Sequence, residues 1–372
     1  MIDPKEFVDA LAEQRIDFYA GVPDSLLKDF CAYVDDHGKP GQHVITANEG
    51  NAVALASGYH MATGESAVVY LQNSGLGNTI NPLTSLADKE VYQIPMLLIV
   101  GWRGEPGVKD EPQHIKQGRI TPEQLGLLEI PYRVVAPDCD LRELANWSRA
   151  QLDETGAPVA LLVRKGAFAA YKSRRQSGTT ATLPREHALD LLLGLAGDAS
   201  IVSTTGKTSR EVFERRVARE EAQRDFLTVG GMGHTASIAL GAAIGRPEKR
   251  VVCIDGDGSA LMHLGALPII GSLKPGNLTH VLLNNAAHES VGGQPTVADR
   301  IDLRAIALAS GYSAHALAST EEEIKTAWQQ LADEPGPVML EVLITTGSRS
   351  DLGRPTSTPC QNKQAFMEWL GQ

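Results

Sequence analysis

VVCIDGDG, residues 251–258, and HVLLNN, residues 280–285, decide how this chain folds. Each opens as a short run rich in Val, Ile and Leu and ends on small polar residues. Such runs read as strands buried in a parallel sheet, which puts Gly256-Asp257-Gly258 and Asn284-Asn285 at strand C-termini. Open α/β sheets bind their ligands beyond those ends. Residues 259–283 separate the motifs, so a carboxylate and a carboxamide come to lie side by side. Together with a nearby backbone carbonyl they make a hard, all-oxygen half-shell that suits Mg²⁺ still free to hold a diphosphate. The glycines let the backbone approach that diphosphate closely. Either motif alone is an ordinary turn sequence; the metal site follows from the two occurring together at strand ends.

Outward from this pair, short apolar runs alternate with helical patterns along the whole chain, the signature of α/β layers. In the first half, strands are expected near DFYAGV, HVITA, SAVVYLQ, PMLLIVG, PYRVVA and PVALLVR, with helices over 49–63 and 140–154 among those between them. In the second half they are expected near SIVSTT, DFLTV, RVVCID, LTHVLLNN and PVMLEVLITT. The segment YKSRRQSGTTATLP reads as a linker over 171–183. The expected organisation is a domain over 1–170, the linker, a second domain over 184–346, and a polar tail over 347–372 that reads as mobile or partner-docking. No middle domain intervenes.

At 372 residues the chain has room for roughly two domains of ordinary size. A hydrophobic content of 42% and a mean hydropathy of −0.14 fit a globular protein. No stretch reaches the roughly 20 apolar residues of a membrane span, and MIDPKEFVDALAEQ reads as a charged helix, not a signal peptide, so a cytoplasmic protein is expected. Cys31, Cys139, Cys253 and Cys360 are scattered without a C-x-x-C pair, which favours reduced thiols over disulfides or a zinc site. The net charge of −11 argues against nucleic acid as a partner. An anionic ligand would need a pocket made locally positive by a metal, helix N-termini or a few basic side chains.

Three further segments bear on function. In ITANEGNAVALASGYHMATG, Glu49 follows an apolar strand and opens a helix of small residues; burial there would raise its pKa, although alone it reads first as a helix-capping glutamate. GGMGHTASIALGAAIG, residues 230–245, offers Gly-x-Gly spacing, but the following strand ends in the GDG motif itself, which leaves no acidic residue to hold a ribose, so a dinucleotide fold is not supported. STTGKTSRE has the Gly-Lys-Thr of a phosphate-binding loop, yet Ile201 stands where its first glycine belongs. The strand leading through Thr204, Thr205 and Gly206 into a helix with Lys207 still makes an anion site.

These segments resemble the thiamine-diphosphate-dependent 2-oxo acid decarboxylases, in which a pyrimidine-binding domain precedes a diphosphate-binding domain. The resemblance implies two doubly wound parallel-sheet domains with thiamine diphosphate and Mg²⁺ as cofactors. By it, Asp257 and Asn285 would bind Mg²⁺ through their side chains and Ala287 through its carbonyl. Glu49 would protonate N1′ of the aminopyrimidine, and Met232 would lie beneath the cofactor and hold it bent. Asn73, Thr205, Gly206, Gly231, Gly256, Gly258 and Ser259 complete the expected cofactor contacts.

GVPDSLLKDF, GWRGEPGVKDEPQH and STTGKTSRE, with the missing middle domain, resemble the compact branch of the family that converts 3-phosphonopyruvate to phosphonoacetaldehyde and CO₂ through a cofactor-bound enamine, in phosphonate and antibiotic biosynthesis. A branch acting on sulfopyruvate is the alternative. Expected substrate contacts are Asp24, Ser25, Arg103, Lys109, His114 and Lys207, with Asn73-Ser74 and Lys116 as further candidates. His114 is also a candidate proton relay, single where relatives carry a histidine pair, and Gly292 and Gly293 suggest a mobile loop after His288 and Glu289. The resemblance further implies a homo-oligomer, at least a dimer, with each site shared between subunits. A carboligase, a cofactor-binding protein without turnover and an NAD-dependent oxidoreductase are the remaining alternatives.

Overall fold

A computed structural model describes residues 1–174 and 179–372; residues 175–178, inside the expected linker, lie outside the described residues. Residues 1–176 and 177–372 form two compact units, except that 291–294 group with the first. Each unit is a six-stranded, wholly parallel sheet between helices.

The first sheet contains β1 (Phe18–Gly21), β2 (His43–Ile45), β3 (Ala67–Gln72), β4 (Met96–Gly101), β5 (Tyr132–Val135) and β6 (Val159–Val163), in the order β2-β1-β3-β4-β6-β5. Its inner strands read as unbroken apolar runs because both faces are covered. Along β3, Val68 and Tyr70 enter one core while Val69 and Leu71 enter the other. The chain steps from β1 to β2 on one side and then to β3 on the other, so the sheet reverses direction between β1 and β3. Ligands of doubly wound folds bind at such a reversal, beyond the strand C-termini.

The second sheet contains β7 (Ser200–Ser203), β8 (Phe226–Leu227), β9 (Val251–Gly256), β10 (Leu278–Asn284), β13 (Ala314–Ala318) and β14 (Val338–Leu343), in the order β13-β14-β10-β9-β7-β8. The two-residue strands β11 (Ala287–His288) and β12 (Gln294–Pro295) lie in the loop after β10. On β9, Val252 and Ile254 face one core, Val251 and Cys253 the other. Here the reversal falls between β7 and β9, where the segments following Ser203 and Gly256 begin.

Two parts differ from expectation. AHALA forms the edge strand β13, which lacks the β-branched run that marked the others and is half exposed. The polar tail ends in a helix, Pro359–Leu370, started by a capping box between Thr358 and Gln361. Its Asn362 accepts from Leu227 N (3.0 Å) and donates to Asp225 O (2.8 Å), and Phe366 is buried against Phe226, so this part of the tail docks on its own unit. Among the described residues no helix is long and apolar enough to cross a membrane.

Candidate active site

In the first unit, the loops after β1, β3 and β4 converge. Asp24 follows β1 and is fully buried; Oδ2 accepts from Leu26 N (2.9 Å), and Oδ1 has no partner. Burial pushes its pKa up to about 6, against the opposing pull of backbone N–H groups and Arg103. Gly101 has to be a glycine here, because a Cβ would lie 2.2 Å from that carboxylate. Arg103, two residues past β4, donates Nη1 to Ser25 Oγ (2.8 Å) and Nε to Asp110 Oδ2 (2.8 Å), with Nη2 closing a bidentate pair. Burial raises the Asp110 carboxyl, but hydrogen bonds from the guanidinium and from Glu111 and Gly104 N–H outweigh it and hold its pKa well below the usual range.

Asn73 follows β3 and is also fully buried. Its carboxamide is occupied in holding the next loop, donating to Arg103 O (2.8 Å) and Thr121 Oγ1 (3.0 Å) and accepting from Arg103 N (3.2 Å). His114 lies in the first turn of the Pro112–Leu127 helix. Burial, and then the positive charge of Arg103, lower its pKa, so the imidazole is neutral at pH 7. Lys109 and Lys116 are exposed.

Glu49 is the first residue of the Glu49–Thr63 helix, whose cap Asn48 accepts from Gly50 N (2.8 Å). It is buried, and Oε2 accepts from Asn78 Nδ2 (2.7 Å). Gly75 packs so closely on the other oxygen, Oε1, that no side chain fits between them.

In the second unit, four segments singled out in the sequence meet at the β7/β9 reversal. Thr205 Oγ1 donates to Val229 O (3.0 Å), tying the β7 loop to the segment before Gly231. Gly233 N donates to Ser259 Oγ (3.2 Å), tying that segment to the Gly256-Asp257-Gly258 turn. The Asn285 N–H bonds the Asp257 carboxylate, and Thr296 Oγ1 donates to Asp257 Oδ2 (2.5 Å). Gly206 (φ 86°) and Gly231 (φ 68°) occupy the left-handed region that favours glycine. Gly258 faces the His288 ring, 3.1 Å from where a Cβ would be. Met232 is half-buried.

The donors fit a hard cation and a diphosphate. Asp257 is almost wholly buried, and that burial, with only a hydroxyl and backbone amides to oppose it, lifts its pKa to about 6. A divalent cation among Asp257, Asn285 and the carbonyl of Ala287 would remove that penalty with oxygen donors alone. Just before Ala287, Ala286 is held at φ 55°, a conformation that turns the chain sharply after β10. Gly206 caps the 12-residue Lys207–Ala218 helix, which presents free N–H groups for an anion.

A network not foreseen from the sequence orients Asn285. Its Nδ2 donates to Glu289 Oε2 (3.0 Å), and Glu289 also accepts from Arg185 Nη1 (2.7 Å) and Lys207 Nζ (2.7 Å). Arg185 in turn forms a bidentate pair with Glu211 (2.7 and 2.9 Å). Within this unit Lys207 is thus an ion-pair partner of Glu289. Arg185 lies in no recognisable motif, and Glu211, although it ends STTGKTSRE, is not marked by its spacing as the partner of a distant arginine; Asn78 and Thr296 were not singled out either.

Comparison with known proteins identifies the family. Residues 5–125 match the model of the family "Thiamine pyrophosphate enzyme, N-terminal TPP binding domain", and residues 205–342 match its C-terminal TPP binding domain. The chain is 36% identical to a phosphonopyruvate decarboxylase of Streptomyces viridochromogenes, over 100% of this chain and 95% of that one. It is also 36% identical to a phosphonopyruvate decarboxylase of Streptomyces hygroscopicus, over 99% of this chain and 94% of that one. A sulfopyruvate decarboxylase of Methanosarcina acetivorans is 28% identical over 100% and 98%. The chain belongs to the thiamine pyrophosphate enzymes and is a thiamine-diphosphate-dependent decarboxylase.

Proposed function

We propose that the chain converts 3-phosphonopyruvate to phosphonoacetaldehyde and CO₂, a step of phosphonate biosynthesis, as a homo-oligomer with shared sites. Thiamine diphosphate would be held through Mg²⁺ on Asp257, Asn285 and the Ala287 carbonyl. When bound, the cofactor supplies the nucleophilic carbon and the electron sink of the decarboxylation. Glu49 would exchange a proton with N1′ of the pyrimidine. Neutral His114 can give or take a proton near the 2-oxo group.

The observation that carries the substrate reading is Arg103, fixed at the β4 terminus with one guanidinium nitrogen on Ser25 and its backbone on Asn73. Asp110 takes Nε and Nη2 as a bidentate pair, so a tetrahedral anion there would take charge-assisted hydrogen bonds from the two remaining N–H bonds, one on Nη1 and one on Nη2. The names of the two Streptomyces relatives support the phosphonate. One observation favours the sulfonate instead: Asp110 already balances Arg103, and the small positive charge left suits a monoanion better than a dianion. Lys109, Lys116 or the metal would have to supply the difference. Parallel aldehyde-trapping assays on phosphonopyruvate and sulfopyruvate, with thiamine diphosphate and Mg²⁺ omitted in turn, decide the matter. A kcat/KM higher for sulfopyruvate would reject the phosphonate reading, and activity without added or bound cofactor would reject both.

A further inference from the structure

Away from the diphosphate site, on the same strand, β9 and β10 bring together three side chains that the decarboxylation does not use. In the parallel register His280 lies beside Cys253, and Asp255, two residues further along β9, shares the face of Cys253. All three are completely buried, beneath a layer that includes Ala239, Leu267 and Ile270. One donor atom from each, the Cys253 Sγ, an Asp255 carboxylate oxygen and a His280 ring nitrogen, lies within 4.8 Å of the other two.

Hydrogen bonding leaves this cluster incomplete in a specific way. Asp255 Oδ1 accepts from Gly256 N (2.9 Å) and His280 Nδ1 lies 3.0 Å from the Tyr312 hydroxyl, but Asp255 Oδ2 and His280 Nε2 have no partner. Buried polar atoms are nearly always bonded, and an orphan keeps its desolvation penalty without a partner to offset it. Here the two orphans, one basic and one acidic, belong to residues clustered with the same thiol.

We propose that Cys253, Asp255 and His280 bind a divalent transition-metal ion of the zinc type, as a structural site in the core of the second unit. Thiolate, carboxylate and neutral imidazole form a sulfur–oxygen–nitrogen set that zinc accepts at about 2.0–2.3 Å, so small rotations of the side chains close the cluster on the ion. Binding releases the thiol proton to solvent. The resulting site, Zn²⁺ with one thiolate and one carboxylate, is neutral overall, as an apolar core requires. A proton on Nδ1 directed at Tyr312 would leave the Nε2 lone pair free for the ion, the outer-shell arrangement that metal-bound histidines need. The donors also separate this ion from Mg²⁺: a site with sulfur and nitrogen selects the softer metal, whereas Asp257 and Asn285 offer only oxygen. Scattered cysteines gave no hint of it, because the ligands come from adjacent strands and not from a C-x-x-C spacing.

Because the cluster is closed to solvent, the ion has to be loaded as the chain folds. The test is therefore made on full-length, tag-free protein expressed in zinc- or cobalt-supplemented medium and purified with thiamine diphosphate and Mg²⁺ present. About one zinc per chain by elemental analysis is expected, retained through dialysis against a chelator. The cobalt form should show a thiolate-to-cobalt charge-transfer band. Cys253→Ala and His280→Gln should lose the metal and the band; if either fails to fold, the wild-type stoichiometry and cobalt spectrum decide alone. Wild-type protein with under a tenth of an equivalent of metal and no thiolate band would overturn the site, leaving a bridging water to satisfy the two orphans. Undiminished zinc in Cys253→Ala would overturn it equally, by placing the metal elsewhere.

Discussion

A Cβ on Gly75 would lie 2.4 Å from Glu49 Oε1, so the glutamate keeps its buried position only while residue 75 has no side chain. Glu49→Gln preserves the shape and the Asn78 contact but removes the acid. A fall in kcat of about 10²–10⁴-fold is expected, the range for a lost general acid–base group, with thiamine diphosphate binding retained by titration. Gly75→Ala should also lose most activity, with a smaller change in unfolding midpoint than in kcat. Near-normal turnover in Glu49→Gln would remove the residue from the mechanism. Asp24 makes the complementary case, a site residue that burdens the fold. Its carboxyl, raised from 3.8 to about 6, contributes stability that is fully present below the unfolded pKa and is lost as pH rises through about 6. Two units correspond to roughly 3 kcal/mol at most. Asp24→Asn should therefore be more stable than wild type at pH 8 by up to about that amount, with the gap shrinking as pH falls towards 4, and should lose activity. Denaturant melts at several pH values check the sign; a gap that widens on acidification would refute it. Glu49 and Asp257 were legible because each stands in a motif at a strand end. Asp24 and Arg103 could be named as candidates, but Asp110 as the anchor of Arg103 could not be derived, since nothing in a sequence reports which carboxylate a guanidinium meets.

Parallel strands buried on both faces announced themselves as apolar runs, and the helix over 49–63 was bounded by the polar cap Asn48 and by Gly64 in the left-handed region. The elements that escaped are those whose stability comes from neighbours. β13 is Ala-rich and half exposed and is a strand because β14 pairs with it in register from Ala314↔Val338 to Ala318↔Val342. The terminal helix is polar along most of its length and is held by Asn362 and Phe366. Asn362→Ala would leave Leu227 N and Asp225 O without their partner beside the short strand β8, where few other bonds compensate. A loss of about 1–3 kcal/mol is expected, read as a lower unfolding midpoint with unaltered cofactor affinity. An unchanged midpoint would mean that the helix contributes nothing to the unit.

For the whole molecule, the site residues divide between two compact units, Glu49 in the first and Asp257 in the second. The proposal of shared sites assigns the Glu49 of one chain and the Asp257 of another to the same cofactor. That assignment has a consequence that an intrachain site cannot imitate. In a dimer of one Glu49→Gln chain and one Asp257→Asn chain, shared sites leave one site with both defects and the other with neither, so the mixed dimer keeps about half the wild-type kcat per dimer by the isologous exchange of equivalent surfaces. If each chain built its own site, both sites would carry a defect and the mixture would stay as inactive as its parents. Coexpression with two different affinity tags, followed by sequential purification, isolates the mixed dimer, and size-exclusion chromatography checks that it is one. Recovered activity in that fraction supports sharing. Its absence, in a dimer that binds thiamine diphosphate at its intact diphosphate site, would place Glu49 and Asp257 of one chain on the same cofactor.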